Sequence, residues 1–343
     1  MQKKHLVSLT VLGFTLTGGA AFAQMPNASQ QVENVQQRRS LEQAAQSLTG
    51  TNVPALYESE TSDVGPQSVL KMKPRRMWIQ AFADEQYFYT DNMFLADHGQ
   101  QGADVLVSTV QAALAPTPFE FHGGQLAPRV GYQHRWFNYD LAGSGTVNVY
   151  DFNTGTFNTI GLDVFDFNAS TVFGDVAWQR ENWTFGLGAN FLRLLDSGNY
   201  NEFYHEYVPR WFVRRDFPLT QTTAISLAYE GDYRATETAS PMPVGYTGSF
   251  NDRSDHSLVL FGSWRLCSHA ILQPVYRFEF THYTRINRDD LLNSFGLTLY
   301  CPLTKNVTLR GFVGYDNLNT DGFYAQHYEQ LSAGGGLNLT VNF

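Results

Sequence analysis

Apolar and polar residues alternate one for one along much of this chain. That period of two specifies β-strands with one apolar and one polar face. Trp183, Phe185, Leu187, Ala189 and Phe191 oppose Thr184, Gly186, Gly188 and Asn190. Ile225, Leu227, Tyr229 and Tyr233 oppose Ser226, Glu230, Asp232 and Arg234. Phe295, Leu297 and Leu299 oppose Ser294, Gly296 and Thr298; at the end, Leu337, Leu339, Val341 and Phe343 oppose Asn338, Thr340 and Asn342. The pattern predicts about twelve strands, at 77–89, 102–114, 124–137, 163–180, 182–195, 203–216, 220–234, 254–267, 270–283, 290–301, 305–317 and 328–343. Each is long enough to cross a bilayer at a tilt. Strands 77–89, 163–180 and 203–216 alternate poorly, so their facing is not fixed by pattern.

The connections carry a second signal. Short turns fall at 181, 217–219, 268–269 and 302–304, whereas 138–162, 196–202, 235–253, 284–289 and 318–327 are longer and hold Asn, Asp, Gly and Thr. A transmembrane barrel has tight turns at one rim and longer loops at the other. A soluble sandwich has no reason to alternate loop length around the whole chain. Connection 115–123 falls on the short-turn side but is longer. The expected fold is all-β: a closed antiparallel transmembrane β-barrel of about twelve strands in an up-and-down meander. Loop 138–162 carries Tyr150, Phe152, Phe157 and Ile160, and a further hairpin there would make fourteen. Closure requires 328–343 to pair with 77–89.

Composition agrees with strands. The 343 residues are 43% hydrophobic, 15% aromatic and only 16% charged, with 29 Gly, and mean hydropathy is −0.28. Outside the extreme N-terminus there is no apolar run of about 18 residues, which excludes helical membrane spans. The N-terminus reads as a secretory signal over 1–23, with Lys3 and Lys4, an apolar core from Leu6 to Leu16, and Ala21-Phe22-Ala23 at the cut. Processing there takes the formal net charge from −9 to −11, and an acidic exported protein is a poor nucleic-acid binder. Residues 24–76 are rich in Gln, Ser, Asn and Glu and are expected to be a flexible periplasmic extension. Val32, Val35, Leu41, Ala45 and Leu48 mark a weak helix there, and a partial plug is the alternative role. Residues 77–343 form the barrel, with both termini in the periplasm. Cys267 and Cys301 end strands at one rim with a third strand between them, which argues against a disulfide.

Lipid cannot take charge on the wall near its midplane, where a basic side chain costs about 2–4 kcal/mol. Strand charges are therefore assigned inward. The pore-lining set is Arg129, Arg135, Glu206, Arg210, Arg214, Glu230, Asp232, Arg234, Arg265, Arg277, Glu279 and Arg310. Arginine dominates, and Lys305 is the one lysine after residue 76. Such arginines can pair with Asp and Glu to fill the interior, or form a polar path that favours anionic solutes. Aromatics near strand ends, including Tyr87, Phe88, Tyr89, Trp136, Phe137, Trp183, Trp211, Tyr283 and Tyr300, are expected to form interfacial girdles.

Candidate chemistry changes little. Asp255-His256, Asp289-Asp290 and His282 fall near the long-loop rim, but sequence neighbours on a strand point to opposite faces. The nine histidines lack metal-ligand spacing, and no nucleotide-binding loop is present. No catalytic residue, metal or cofactor is expected, and the chain is not read as an enzyme.

The final strand, with Leu337, Leu339 and Val341 leading to a terminal Phe343, resembles the closing strand of bacterial outer-membrane barrels. That resemblance implies that the assembly machinery reads it as a signal. Tyr89-Thr90-Asp91-Asn92-Met93-Phe94-Leu95, between an aromatic strand and a return strand near Asp104, resembles the start of the bacterial porins called β-barrel porin 2. It implies a pore in the outer membrane. Together with the signal peptide, the alternating loop lengths and the inward arginines, the expected function is passive diffusion of small polar, and potentially anionic, solutes. The expected partners are outer-membrane lipids, the barrel-assembly machinery and those solutes. A non-conducting structural or adhesive barrel is the alternative, with an outer-membrane hydrolase behind it.

Overall fold

The computed structural model describes residues 13–14, 28–36, 78–97, 100–141, 143, 145–151, 156–239, 247–267, 269–322 and 327–343. Twelve long strands form the wall: β1 (Ile79–Thr90), β2 (Ala103–Leu114), β3 (Gly124–Tyr139), β4 (Phe167–Arg180), β5 (Trp183–Asp196), β6 (Glu202–Pro218), β7 (Thr223–Thr238), β8 (Arg253–Cys267), β9 (Ala270–Tyr283), β10 (Asp289–Pro302), β11 (Val307–Thr320) and β12 (Tyr328–Asn342). Each pairs antiparallel with its sequence neighbours. The sheet closes where β12 meets β1, with Ser332 opposite Thr90 and Asn342 opposite Gln80. Every wall strand is thus paired on both sides, which lipid demands of any spanning sheet.

The fourteen-strand alternative fails for a local reason. Thr146–Asp151 and Thr156–Gly161 form a hairpin whose strands pair with each other, and Gly13–Phe14 pairs in parallel with Tyr150 and Asp151. The wall bypasses this unit, because Phe137 of β3 lies directly opposite Phe167 of β4. Cys267 and Cys301 are free, with β9 between their strands.

Burial is inverted relative to a soluble protein. Gln86, Ser226 and Gln273 are fully buried, whereas Leu187 is 70% exposed and Phe295 is 52% exposed. Polar residues inside and large apolar residues outside is the arrangement for a wall standing in lipid. Leu337, Leu339 and Phe343 face outward on β12 and its end, with Val341 on the same parity.

The structure resolves the three poorly alternating strands. Their inward positions hold large apolar residues among the polar ones: Phe82 and Phe88 on β1, Phe167, Ala169 and Phe173 on β4, Tyr204 and Val208 on β6. Apolar residues therefore fall on both faces of these strands. Glu85, midway along β1, departs from the inward rule: it faces outward, where Ser108 Oγ of β2 donates to its carboxylate at 2.9 Å. The aromatic girdle needs correction as well. Tyr87, Tyr89, Trp183 and Trp211 face out, but Phe88, Phe137, Tyr283 and Tyr300 are buried inside. Parity decides this, not distance from a strand end: Phe88 lies between two outward tyrosines and must point the other way. Gly334 on β12 makes room for it, since a Cβ there would lie 2.3 Å from that of Phe88.

Candidate solute pathway

Residues 28–36 form a helix, α1, and it lies inside the barrel. Ala28, Val32 and Val35 recur at helical spacing and are buried against Phe88, Val105, Val107, Phe137, Phe167, Ala169, Leu192, Leu194 and Tyr204 of the wall. Phe88, Phe167, Ala169 and Tyr204 among them are inward apolar residues that spoil the alternation of β1, β4 and β6. The expectation of a flexible extension outside the barrel therefore does not hold for 28–36. Burying three apolar side chains holds this short helix where isolated propensity would not. Leu41, Ala45 and Leu48, like the basic cluster at 71–76, lie outside the described residues.

The long-loop rim closes over the same cluster. Met93, Leu162 and Phe165 join it, and Phe94 packs edge-on against Phe165 at 5.0 Å. Asn92 folds the first loop inward: its Nδ2 donates to the carbonyls of Ala96 and Glu329, both at 2.8 Å, and its Oδ1 accepts from Ala96 N at 2.9 Å. Leu95 takes a left-handed conformation, φ 51°, to complete the turn. The Asp-Asn-aliphatic stretch thus ties a loop over α1.

Asp166 anchors the second long loop, accepting from Tyr139 N at 2.7 Å. Burial pushes its carboxyl up to about 6, with Asp163 adding to the rise and the Tyr139 N–H opposing it. The folded value stands above the ordinary 3.8. Its stabilising contribution is therefore complete below 3.8 and is lost as pH rises through 6. Hydrogen exchange at 162–166, corrected for the intrinsic rate, should quicken between about pH 4 and 6 and level off above that. Asp166→Asn, which keeps the acceptor, should abolish that dependence; an unchanged profile in the variant would refute this role.

The polar face of α1 meets the opposite wall. Gln30 Nε2 donates to Tyr328 Oη at 2.6 Å. Glu33 sits between two arginines, 3.1 Å from Arg234 and 2.8 Å from Arg277. Each arginine has wall carboxylates of its own. Arg234 also meets Asp255 at 2.7 Å and Glu206 and Asp232 at 3.2 Å; Arg277 pairs with Glu279, which accepts from Ser257 Oγ at 2.6 Å. Arg253 adds a second grip on Asp255, at 3.1 Å. Departure of α1 would strand neither arginine without a counter-charge.

Below α1 lies a cavity of about 700 Å³. It is bordered by Ser29, Val32, Glu33 and Gln36 of α1 and reaches Ile79, Gln80, Pro116 and Asn342 at the short-turn rim. Arg129, Arg135, Glu206, Arg210, Arg214, Glu230, Asp232, Arg234 and Arg277 all border it. Glu279 lies beside it through its pair with Arg277. Arg265 and Arg310 share the inward parity but do not border it; Arg310 instead pairs with Asp84 at 2.7 Å. Reading the sequence missed Asp84, Asp175, Arg253 and Asp255 as inward charges. Asp175 carries weight: it meets Arg129 at 2.9 Å and Arg210 at 3.7 Å. Parity could have found Arg253 and Asp255, two positions apart on β8, whereas Asp175 sits on a strand whose facing the pattern left open.

The candidate hydrolytic residues are dispersed. Asp255 faces the lumen and His256 the opposite side, so they form no dyad. His256 Nε2 meets Ser254 Oγ at 3.1 Å and His282 Nδ1 meets Asp289 at 2.6 Å, both on the outward face. The strands that carry them are paired on both sides, so their backbone N–H groups are engaged in the sheet rather than gathered toward a reacting oxyanion. Among the described residues no group of three or more His, Cys, Asp or Glu could hold a metal.

The fold is a closed twelve-strand antiparallel β-barrel with an apolar outer face. No family model matches the chain, and no curated protein does. Solved structures similar to it include an outer-membrane channel from Pseudomonas putida F1, with 10% identity over 81% of this chain and 100% of that one and a TM-score of 0.47. The β domain of the Bordetella autotransporter Brka has 13% identity over 78% and 100%, with a TM-score of 0.45. An anion-selective porin from Comamonas acidovorans has 11% identity over 77% and 98%, with a TM-score of 0.37. These are likenesses of architecture at low identity, and the function is read from the lumen.

Proposed function

We propose that this protein is a porin-like outer-membrane channel for passive diffusion of small polar solutes, with α1 as a resident constriction. The short-turn rim then lies in the periplasm, and Leu337, Leu339, Val341 and Phe343 serve as the assembly signal. The observation that supports the reading is the charge-lined cavity, which is bordered by α1 and reaches the short-turn rim. At about 700 Å³ it is as large as ordinary small-molecule sites. Its borders hold six arginines and six carboxylates, counting Glu33. The lining as a whole therefore favours neither anions nor cations, and any preference for anions must be local. Arg129, Arg135, Arg210 and Arg214 outnumber Asp175 and Glu206 on β3 to β6, whereas Glu230, Asp232 and Asp255 outnumber Arg234 and Arg277 on β7 to β9, so positive charge gathers on one side of the chamber and negative on the other.

Full-chain protein in planar bilayers should give small, flickering current steps, and liposomes carrying it should swell in solutes the cavity can admit. If neither the full chain nor a variant with α1 released conducts or supports swelling, the channel reading is overturned.

A further inference from the structure

Among the arginines bordering the chamber, one stands apart. Arg129 and Arg210 share Asp175, Arg214 meets Asp216 at 3.2 Å, and Arg234 and Arg277 belong to the Glu33 network. Arg135 meets no carboxylate among the described residues. Its Nε, Nη1 and Nη2 are all buried and make no hydrogen bond, and the residue is 1% exposed. A buried guanidinium without a counter-charge is costly and is normally found only paired. Asp84 lies in register two strands away, across Thr109, where its charge acts on Arg135 without bonding it, and its Oδ2 is held by Arg310 at 2.7 Å.

The surroundings are built for a ligand with more than charge. Arg135 lies opposite Thr109 of β2 and Ala169 of β4. Two positions toward the short-turn rim, Gln133 lies opposite Gln111 and Thr171. The hydroxyls of Thr109 and Thr171 are buried without a partner among the described residues. Gln111, Gln133 and Thr171 border the same chamber as Arg135.

We infer that Arg135 anchors a subsite for a hydroxylated monocarboxylate, its guanidinium taking the carboxylate as a fork and the threonines and glutamines taking hydroxyls. The inference rests on the channel reading. A single negative charge fits because the remaining border has five arginines against six carboxylates, so a second charge would be repelled. The planar fork matches carboxylate geometry. Phe137 and Ala169, next to Arg135 in the wall, belong to the seat of Val32 and Val35. The subsite thus lies at the inner edge of α1, and a ligand reaches the buried nitrogens by a small displacement of the helix or the guanidinium.

Calorimetric titration of the full chain in detergent tests this, with sodium gluconate as probe and glucose as the uncharged control. Gluconate should bind about tenfold or more tighter than glucose, the size expected of a charge-assisted pair. Arg135→Gln should remove that advantage, bringing gluconate down to the level of glucose. Arg135→Lys, which keeps the charge and loses the fork, should fall between and carries the test if the glutamine variant does not fold. No gluconate preference in the native chain, or one that survives Arg135→Gln, overturns the subsite. Conductance without gluconate binding would remove the subsite alone; gluconate binding in a barrel that never conducts would remove the channel reading alone.

Discussion

Replacing Val32 and Val35 together by Asp should free α1 from the lumen and raise single-channel conductance several-fold. Both valines are buried, at 3% exposure each, in a seat made of apolar wall residues. Each substitution loses the transfer energy of a buried valine, about 1.5–3 kcal/mol as an upper estimate. It also forces a carboxylate into a dry apolar site, which costs several kcal/mol more. What remains to hold α1 is weaker. Gln30 keeps its bond to Tyr328, and Glu33 keeps Arg234 and Arg277, but both arginines retain wall carboxylates when α1 leaves. Glu33→Gln should therefore raise conductance less than the valine pair does. Planar-bilayer recordings give the measurement, with protease protection of 28–36 read in parallel. A helix that becomes cleavable while conductance stays at the native level would show that α1 is not the constriction.

The seat of α1 also explains what the sequence could and could not reveal. Strands β7, β10 and β12, and β5 as far as Phe191, alternate cleanly because one face meets lipid and the other meets water or polar side chains, so their facing could be read directly; Leu192 and Leu194 at the far end of β5 join the seat of α1. Strands β1, β4 and β6 face lipid outside and, over part of their length, α1 inside, so apolar residues fall on both faces there and period two is broken. The failed alternation was itself the mark of the plug. Phe88, Phe167, Ala169 and Tyr204 had the wrong polarity for a wet lumen, and Val32 and Val35 had helical spacing with no apolar surface assigned to receive them. Only the fold joins the two, because the residues are far apart in sequence and pair through shape. The Glu33 contact is hidden for the same reason: 244 residues separate it from Arg277. Glu85 escaped the inward rule because a neighbouring strand supplies the Ser108 hydroxyl, a partner that single-strand parity does not show.

Replacing Arg234 by Met should be among the most damaging single changes in the wall. Arg234 holds Asp255 at 2.7 Å, Glu33 at 3.1 Å, and Glu206 and Asp232 at 3.2 Å. Without it, Arg253 still grips Asp255 and Arg277 still grips Glu33. Glu206 retains the Tyr204 hydroxyl at 2.8 Å, a donor with no charge to offset the carboxylate. Removing one partner from a buried ionic network costs about 3–5 kcal/mol, a large part of the 5–15 kcal/mol typical of a folded protein. The variant should therefore show a lower urea midpoint in detergent and a smaller folded fraction after refolding. Adding Glu206→Gln and Asp232→Asn should recover most of the loss, because removing charges together avoids leaving one stranded. A loss under about 1 kcal/mol, the level of an exposed pair, would mean that water reaches the network and that the outer half of the lumen is wetter than the packing of α1 allows.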